Sequence, residues 1–340
     1  MSDLEVAWFF LVGILLTVYA VLDGFDLGVG FWYLFTRSDT HRRVLRNAIG
    51  PVWDGNEVWL LTGGGALFAA FPHAYATVFS GFYMALMLVL AALILRAASL
   101  EFRKEMDSEG WRRFWDWAFG IGSALPALLF GVALGNILRG VPLDEDKQFT
   151  GTFFTLLNPY ALLIGVAGLL MLLTQGALYI ALKTEGSLAA QGRRWANTAG
   201  QGYLALLAIA MEATRRLGPQ LLANYTEAPV LWVLPVLAVG SGTAALVLNR
   251  RWLESRAFVA WSACIVSTMA MVGAGLFPNI VPALGNPALS LTADNAASGP
   301  LTLSVMLIIA LIGMPFVLGY TIWVYRVFGG KVSVDAAKHY

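Results

Sequence analysis

Residues 21–72 read VLDGFDLGVGFWYLFTRSDTHRRVLRNAIGPVWDGNEVWLLTGGGALFAAFP, two apolar runs joined by a short basic connection. Four carboxylates, Asp23, Asp26, Asp54 and Glu57, sit inside or at the edge of those runs. An ionisable side chain at membrane depth costs at least ~2.5 kcal/mol, so acids placed there need a protein interior, a water path or partners. Asp23 and Asp26 are three residues apart and share a helix face, and Asp54 and Glu57 repeat that spacing. Counted from Ala7, Asp23 lies about 24 Å along a helix axis, in the inner half of a first span.

Each acid also has a purely structural reading. Asp23 and Asp26 are open to pairing with arginines of the following loop, and Gly24, Gly28 and Gly30 to serving close helix contact. Asp54 has the residue type of an N-terminal helix cap, and Glu57 that of a solvated interfacial position.

Working outward, composition sets the class. The 340 residues are 58% hydrophobic and 13% charged, with a mean hydropathy of +0.69, far more apolar than a soluble domain. The chain is therefore an all-α, polytopic membrane bundle, read as a single integral membrane domain over residues 1–340. A net charge of +1 without a basic stripe excludes nucleic acid as a partner. The single cysteine, Cys264, lies in an apolar run and forms no disulfide within the chain. The N-terminus, MSDLEVAW, lacks a basic region and a small-residue cleavage site, so the first apolar run reads as a retained span.

Nine runs are long enough to cross about 30 Å of hydrocarbon. They cover residues 7–35, 52–71, 75–96, 115–138, 160–182, 196–214, 230–249, 258–277 and 302–328. The sixth is the weakest, because Glu212, Arg215 and Arg216 crowd its end. Of 22 lysines and arginines, only Arg139, Lys147, Arg215 and Arg216 fall on one face of this plan, and all the others, including Lys338, fall on the opposite face. Basic loops stay in the cytoplasm, so the N-terminus is expected outside and the C-terminus inside. Arg96, Glu101 and Asp116 gather charge on the inner side with the four acids. The two longest connections, 139–159 and 278–301, are external, and the second has no helical period.

The sequence argues against haem or metal in this chain. Its histidines are His41 in a basic loop, His73 beside a proline at a span end, and His339 next to the C-terminus. The ten methionines are scattered through apolar runs, as core packing would place them. Tryptophans such as Trp32, Trp111, Trp232 and Trp323 fit an interfacial belt.

VLDGFDLGVG followed by WDGNEVWLLTGGGALFAAFPHAYATVFSGFY resembles subunit II of the cytochrome bd quinol oxidases. The likeness continues through RRFWDWAFGIGSALPALLFGVALGNILRGVP, LLNPYALLIGV and AMVGAGLFPNIVP to LTLSVMLIIALIGMPFVLGYT, almost the whole chain. It implies a bacterial cytoplasmic (inner) membrane complex that oxidises quinol and reduces dioxygen to water with protons from the cytoplasm. Haem b and haem d would sit on a companion subunit I, with this chain as a structural half that lends residues to the proton path and is not catalytic alone. The resemblance assigns Asp54 to that path, and Asp23, Asp26 and Glu57 join it here as candidates. Trp53 and Trp59 match motif positions, Trp59 bordering the dioxygen entrance or partner interface. It also admits a structural quinone and a small single-span accessory subunit, beside membrane lipid and quinol.

Two departures stand out: Glu57 stands where another member of the family has glutamine, and the connection at 215–229 is short, which argues against a quinone or partner site there. The competing class is a proton-coupled secondary transporter, for which midplane acids and helix-breaking glycines are the marks; here the acids crowd to one face. A pure assembly scaffold would leave Asp54 replaceable. Gly24, Gly28, Gly63, Gly64 and Gly65 mark the first two or three spans as the expected face toward subunit I.

Overall fold

The computed structural model describes residues 1–332. Lys338 and His339 lie outside the described residues. Twelve α-helices carry the fold among them: α1 (Asp3–Leu34), α2 (Asp39–Ile49), α3 (Trp53–Ala70), α4 (Pro72–Gly81), α5 (Tyr83–Phe102), α6 (Glu109–Arg139), α7 (Pro159–Lys183), α8 (Gly186–Leu217), α9 (Ala223–Glu227), α10 (Val233–Arg250), α11 (Glu254–Leu276) and α12 (Pro300–Val327). Seven helices, α1, α5, α6, α7, α10, α11 and α12, are long and apolar enough to cross a membrane. The runs expected as the second and sixth spans are helical, as α3 and α8, but the polar starts of both, Asp54, Asn56 and Glu57 in α3 and Gln191 to Gln201 in α8, make them too little apolar to join that set.

Local chemistry explains the element ends. Ser2 caps α1 by accepting from the Glu5 N–H while the Glu5 side chain accepts from the Ser2 N–H, a reciprocal cap that starts the helix ahead of the apolar run. Asn158 caps α7, with Pro159 at its first position. The basic connection after α1 is itself helical: α2 buries Val44, Leu45, Ala48 and Ile49 and turns Arg43 away, the pattern of a helix lying along a surface. The expected third span starts in α4, breaks at Phe82 and continues in α5 beyond Arg96 to Phe102.

α7 is the axis of the bundle, with the largest buried share of any spanning helix. It crosses α1 where Gly28 meets Gly176: a Cβ on Gly28 would stand 2.3 Å from the Leu172 carbonyl oxygen and 2.8 Å from Gly176 Cα. Only glycine permits that approach, which in lipid substitutes for a hydrophobic driving force. On the other flank, buried Trp261 of α11 donates from Nε1 to the Met171 carbonyl at 3.0 Å.

The ends of the helices differ in character. At the end holding the starts of α1 and α12, the two long connections pack together: Val141 bridges Ala283, and strands Asn279–Val281 and Leu291–Thr292 pair antiparallel. Trp8 donates to the Leu303 carbonyl, and Ser298 donates to the carbonyls of Ala69 and Ala70. The connection at 278–301, expected to lack helical order, is thus an ordered cap with buried Val281, Leu291, Ala293 and Ala296. The opposite end carries α2, the start of α3 and the ends of α5 and α12, and it gathers the charged side chains.

Candidate functional site

Asp23 and Asp26 are fully buried where α1, α3, α5 and α12 converge. Arg96 of α5, also without exposure, makes two hydrogen bonds to Asp23, at 2.7 Å and 3.2 Å. Two unlike charges brought together out of water in this fork geometry compensate each other's desolvation. The pairing expected with arginines of the next loop is therefore corrected. The cation comes from within the third apolar run, where the side chain that seemed to end the span lies inside the helix.

Asp26 has a different environment. Its Oδ2 accepts from Asn56 Nδ2 at 2.7 Å, and its Oδ1 is buried with no partner. The same amide nitrogen reaches the Leu22 carbonyl at 3.4 Å, and Asn56 Oδ1 accepts from the Tyr325 hydroxyl at 2.9 Å. Tyr19 lies on α1 one turn before Asp23 and two before Asp26, its hydroxyl buried and unpartnered.

Glu57 joins the buried cluster to the end of the bundle. Its carboxylate stands 3.8 Å from Arg96 and its side chain is 21% exposed. Asp54, one turn nearer the helix start, is exposed and belongs to the first turn of α3. The cap position is Val52, and no side chain caps this helix, so the reading of Asp54 as the N-cap is corrected: the helix begins two residues too early for it. Trp53 places its ring 5.9 Å from the Arg96 guanidinium, a cation–π distance that helps hold the arginine. Trp59 points inward and packs on Leu15 and Tyr19.

A second polar knot ties the same end. Buried Asp116 of α6 accepts from Arg103 Nε at 2.5 Å, Arg42 Nη1 at 2.7 Å and the Tyr33 hydroxyl. Arg103 also reaches Asp39 at 2.6 Å. Partial burial disfavours the charged form of Asp39, but hydrogen bonds from Arg103 and Arg43 outweigh it and hold the carboxyl below its ordinary range. Asp116, grouped with the inner acids by position alone, is thus the centre of a clamp between the α1–α2 connection, α5 and α6.

The sequence reading did not identify Arg96 as the partner of Asp23, nor Tyr325 and Tyr19 as members of the cluster. Arg96 carried a usable signal: the apolar run resumes after it through AASL, and a cation inside a span requires an acid at similar depth. Tyr325 carried none, because it lies 269 residues from Asn56 and resembles an ordinary interfacial tyrosine.

Among the described residues no group of three or more His, Cys, Asp and Glu side chains is arranged to hold a metal ion. His41 lies on α2 and His73 in the first turn of α4. Between α6, α7, α8 and α11 runs a cavity of about 710 Å³, lined mostly by apolar side chains, with Tyr19 and Tyr203 in its wall and Glu212 and Arg215 at one end.

Residues 4–328 match the family described as cytochrome bd terminal oxidase subunit II. The chain is 39% identical to cytochrome bd-I ubiquinol oxidase subunit 2 of Escherichia coli (strain K12), with 98% of this chain and 97% of that one covered. It is 38% identical to cytochrome bd ubiquinol oxidase subunit 2 of Bacillus subtilis (strain 168), with 98% of both chains covered. The fold matches a chain of the bd oxidase from Geobacillus thermodenitrificans with a TM-score of 0.81 at 15% identity, over 96% of this chain and 99% of that chain. With the family match running from the first turn of α1 to the end of α12, the chain belongs to the cytochrome bd terminal oxidase subunit II family.

Proposed function

We propose that this chain is the second subunit of a cytochrome bd type quinol:dioxygen oxidoreductase in the bacterial cytoplasmic membrane, and that its inner-end acids conduct protons toward the oxygen-reducing site of subunit I. The observation that carries the proton role is the graded series on α3 and α1. Asp54 is exposed, Glu57 is partly exposed and contacts Arg96, and Asp26 is buried with one free carboxylate oxygen. A series that runs from solvent into the bundle is what proton delivery needs, whereas stability alone would favour pairing every buried acid. Asp23, fully engaged by Arg96, supplies the fixed charge balance of this path.

On this reading the chain spans the membrane nine times, α3 and α8 completing the seven helices named above, with the N-terminus outside and the charged end in the cytoplasm as one membrane domain. Haem b and haem d are assigned to subunit I, as the family resemblance implies; the two described histidines lie on a surface helix and at a helix start, neither inside a spanning helix. The large apolar cavity suits the isoprenoid tail of a structural quinone, and Arg215, Leu221, Leu222 and Tyr225 in its wall bring the 215–229 connection to it, against the expectation drawn from that connection's shortness. Extraction of the purified complex, with quinone counted per subunit II, tests that assignment independently of turnover.

Subunit I packs on the outward faces of α3 and α12. Gly64 and Gly65 have open space beside them, while Gly24, Gly28 and Gly63 face Leu172, Gly176 and Leu16 of this same chain and leave the list of interface candidates. Leu61 and Phe68 of α3 and Ile309 and Phe316 of α12 are exposed apolar side chains on those helices. The remaining lipid-sized surface is left to lipid and to any single-span accessory subunit. Substitution of Asp26 and Asp54 singly by asparagine in the intact complex tests the proton role: both variants retain haem and slow oxygen consumption, and an undiminished rate in either would overturn it.

A further inference from the structure

The proton path proposed above leaves open how Asp26 is oriented, and the hydrogen-bond chain across three helices answers it. Asn56 is 2% exposed and its amide is held from both ends. The nitrogen faces two acceptors of α1, Asp26 Oδ2 at 2.7 Å and the Leu22 carbonyl at 3.4 Å. The oxygen faces the hydroxyl of Tyr325 at 2.9 Å. An amide rotated by half a turn would place its oxygen against both acceptors, so the present orientation is the one the surroundings select.

The groups around Asp26 are otherwise committed. Arg96 of α5 is engaged by Asp23 and approached by Glu57. Tyr179 of α7 donates to the Ala48 carbonyl at 2.9 Å. Tyr19 of α1 and Glu57 of α3 make no hydrogen bond to it. Asp26 thus receives a single donor, on Oδ2, and its Oδ1 is bare.

We infer that Tyr325 is a positioning residue for proton transfer: its hydroxyl holds the Asn56 amide so that Oδ2 of Asp26 is occupied as an acceptor and Oδ1 is the atom that takes up and releases the proton. The inference rests on the proton-path reading. The proton arrives from cytoplasmic water, forms an O–H bond at Oδ1, and leaves by breaking that bond toward the site where dioxygen is reduced, with no electron moving through Asp26. Tyr325 stands near the inner end of α12, so the last helix sets the geometry of an acid on the first.

Infrared difference spectroscopy of the intact oxidase, reduced against oxidised, tests this. A protonated-carboxyl C=O band that disappears in Asp26→Asn identifies the residue. Tyr325→Phe removes only the hydroxyl; it is expected to displace that band in frequency and to slow proton uptake about tenfold, a barrier change of about 1.4 kcal/mol, with haem content unchanged. Asn56→Ala gives the same readout should Tyr325→Phe fail to assemble. An Asp26 band unmoved by loss of the hydroxyl or of the amide overturns the positioning role while leaving the proton path intact. Wild-type turnover in Asp26→Asn, by contrast, overturns the path itself, and with it the inference.

Discussion

Replacing Arg96 by glutamine strips Asp23 of its counter-ion inside the bundle, where both side chains are wholly buried. Breaking a buried pair from one side costs about 3–5 kcal/mol, because the remaining charge has lost its compensation. Asp23→Asn is the mirror case, because the arginine left behind loses both hydrogen bonds to Asp23 and is left with Glu57 at 3.8 Å. Replacing both together, Asp23→Asn with Arg96→Gln, removes the two charges at once and is expected to recover most of the loss of either single variant. Unfolding midpoints of the purified complex in mild detergent, followed by tryptophan fluorescence, measure all three variants. An Arg96→Gln penalty under about 1 kcal/mol, or a double variant no more stable than the single ones, would refute the reasoning.

Other positions follow from the same geometry. Gly28→Ala drives a methyl into the Leu172 carbonyl and is expected to destabilise by about 1–3 kcal/mol or more, read as loss of assembled complex; Gly64→Ala, with open space in this chain, is the control whose effect depends on how closely subunit I packs. Asp116→Ala leaves Arg103 without its buried acceptor and is expected to cost about 3–5 kcal/mol, measured as a lowered yield of complex, while Asp116→Asn keeps part of the hydrogen bonding and costs less. Substituting His41 and His73 together is expected to leave the haem spectrum of the complex intact; loss of one haem with normal assembly would place a ligand in this subunit.

The bundle was legible because its signal is additive: apolar runs, caps and basic loops each depend on nearby residues. Two boundaries misled for a physical reason. Arg96 looked like a span end, since an isolated arginine in lipid is costly, and only the third dimension supplies the acid that permits it. Asp54 looked like a cap, but the turn at Gly50 to Val52 starts the helix earlier and leaves its side chain exposed. The site was legible in its acids and not in their partners. Asp23 and Asp26 stand out against apolar neighbours by charge, yet nothing local separates the one that meets a cation from the one that meets an amide. That difference arises from α5, α3 and α12, whose relative placement is set by packing such as the Gly28–Gly176 crossing.

Proton uptake from the cytoplasmic side during a single turnover tests the central claim most directly. The fully reduced complex, oriented in vesicles with a pH indicator on that side, is mixed with dioxygen, and wild type is compared with Asp54→Asn. Asp54 is exposed and makes no capping bond, so the variant is expected to keep its haem content and to change stability by no more than about 0.5 kcal/mol. The account predicts that proton uptake and the reduction steps it limits slow together in the variant. Uptake at the wild-type rate, with haem content equal in both, would contradict it.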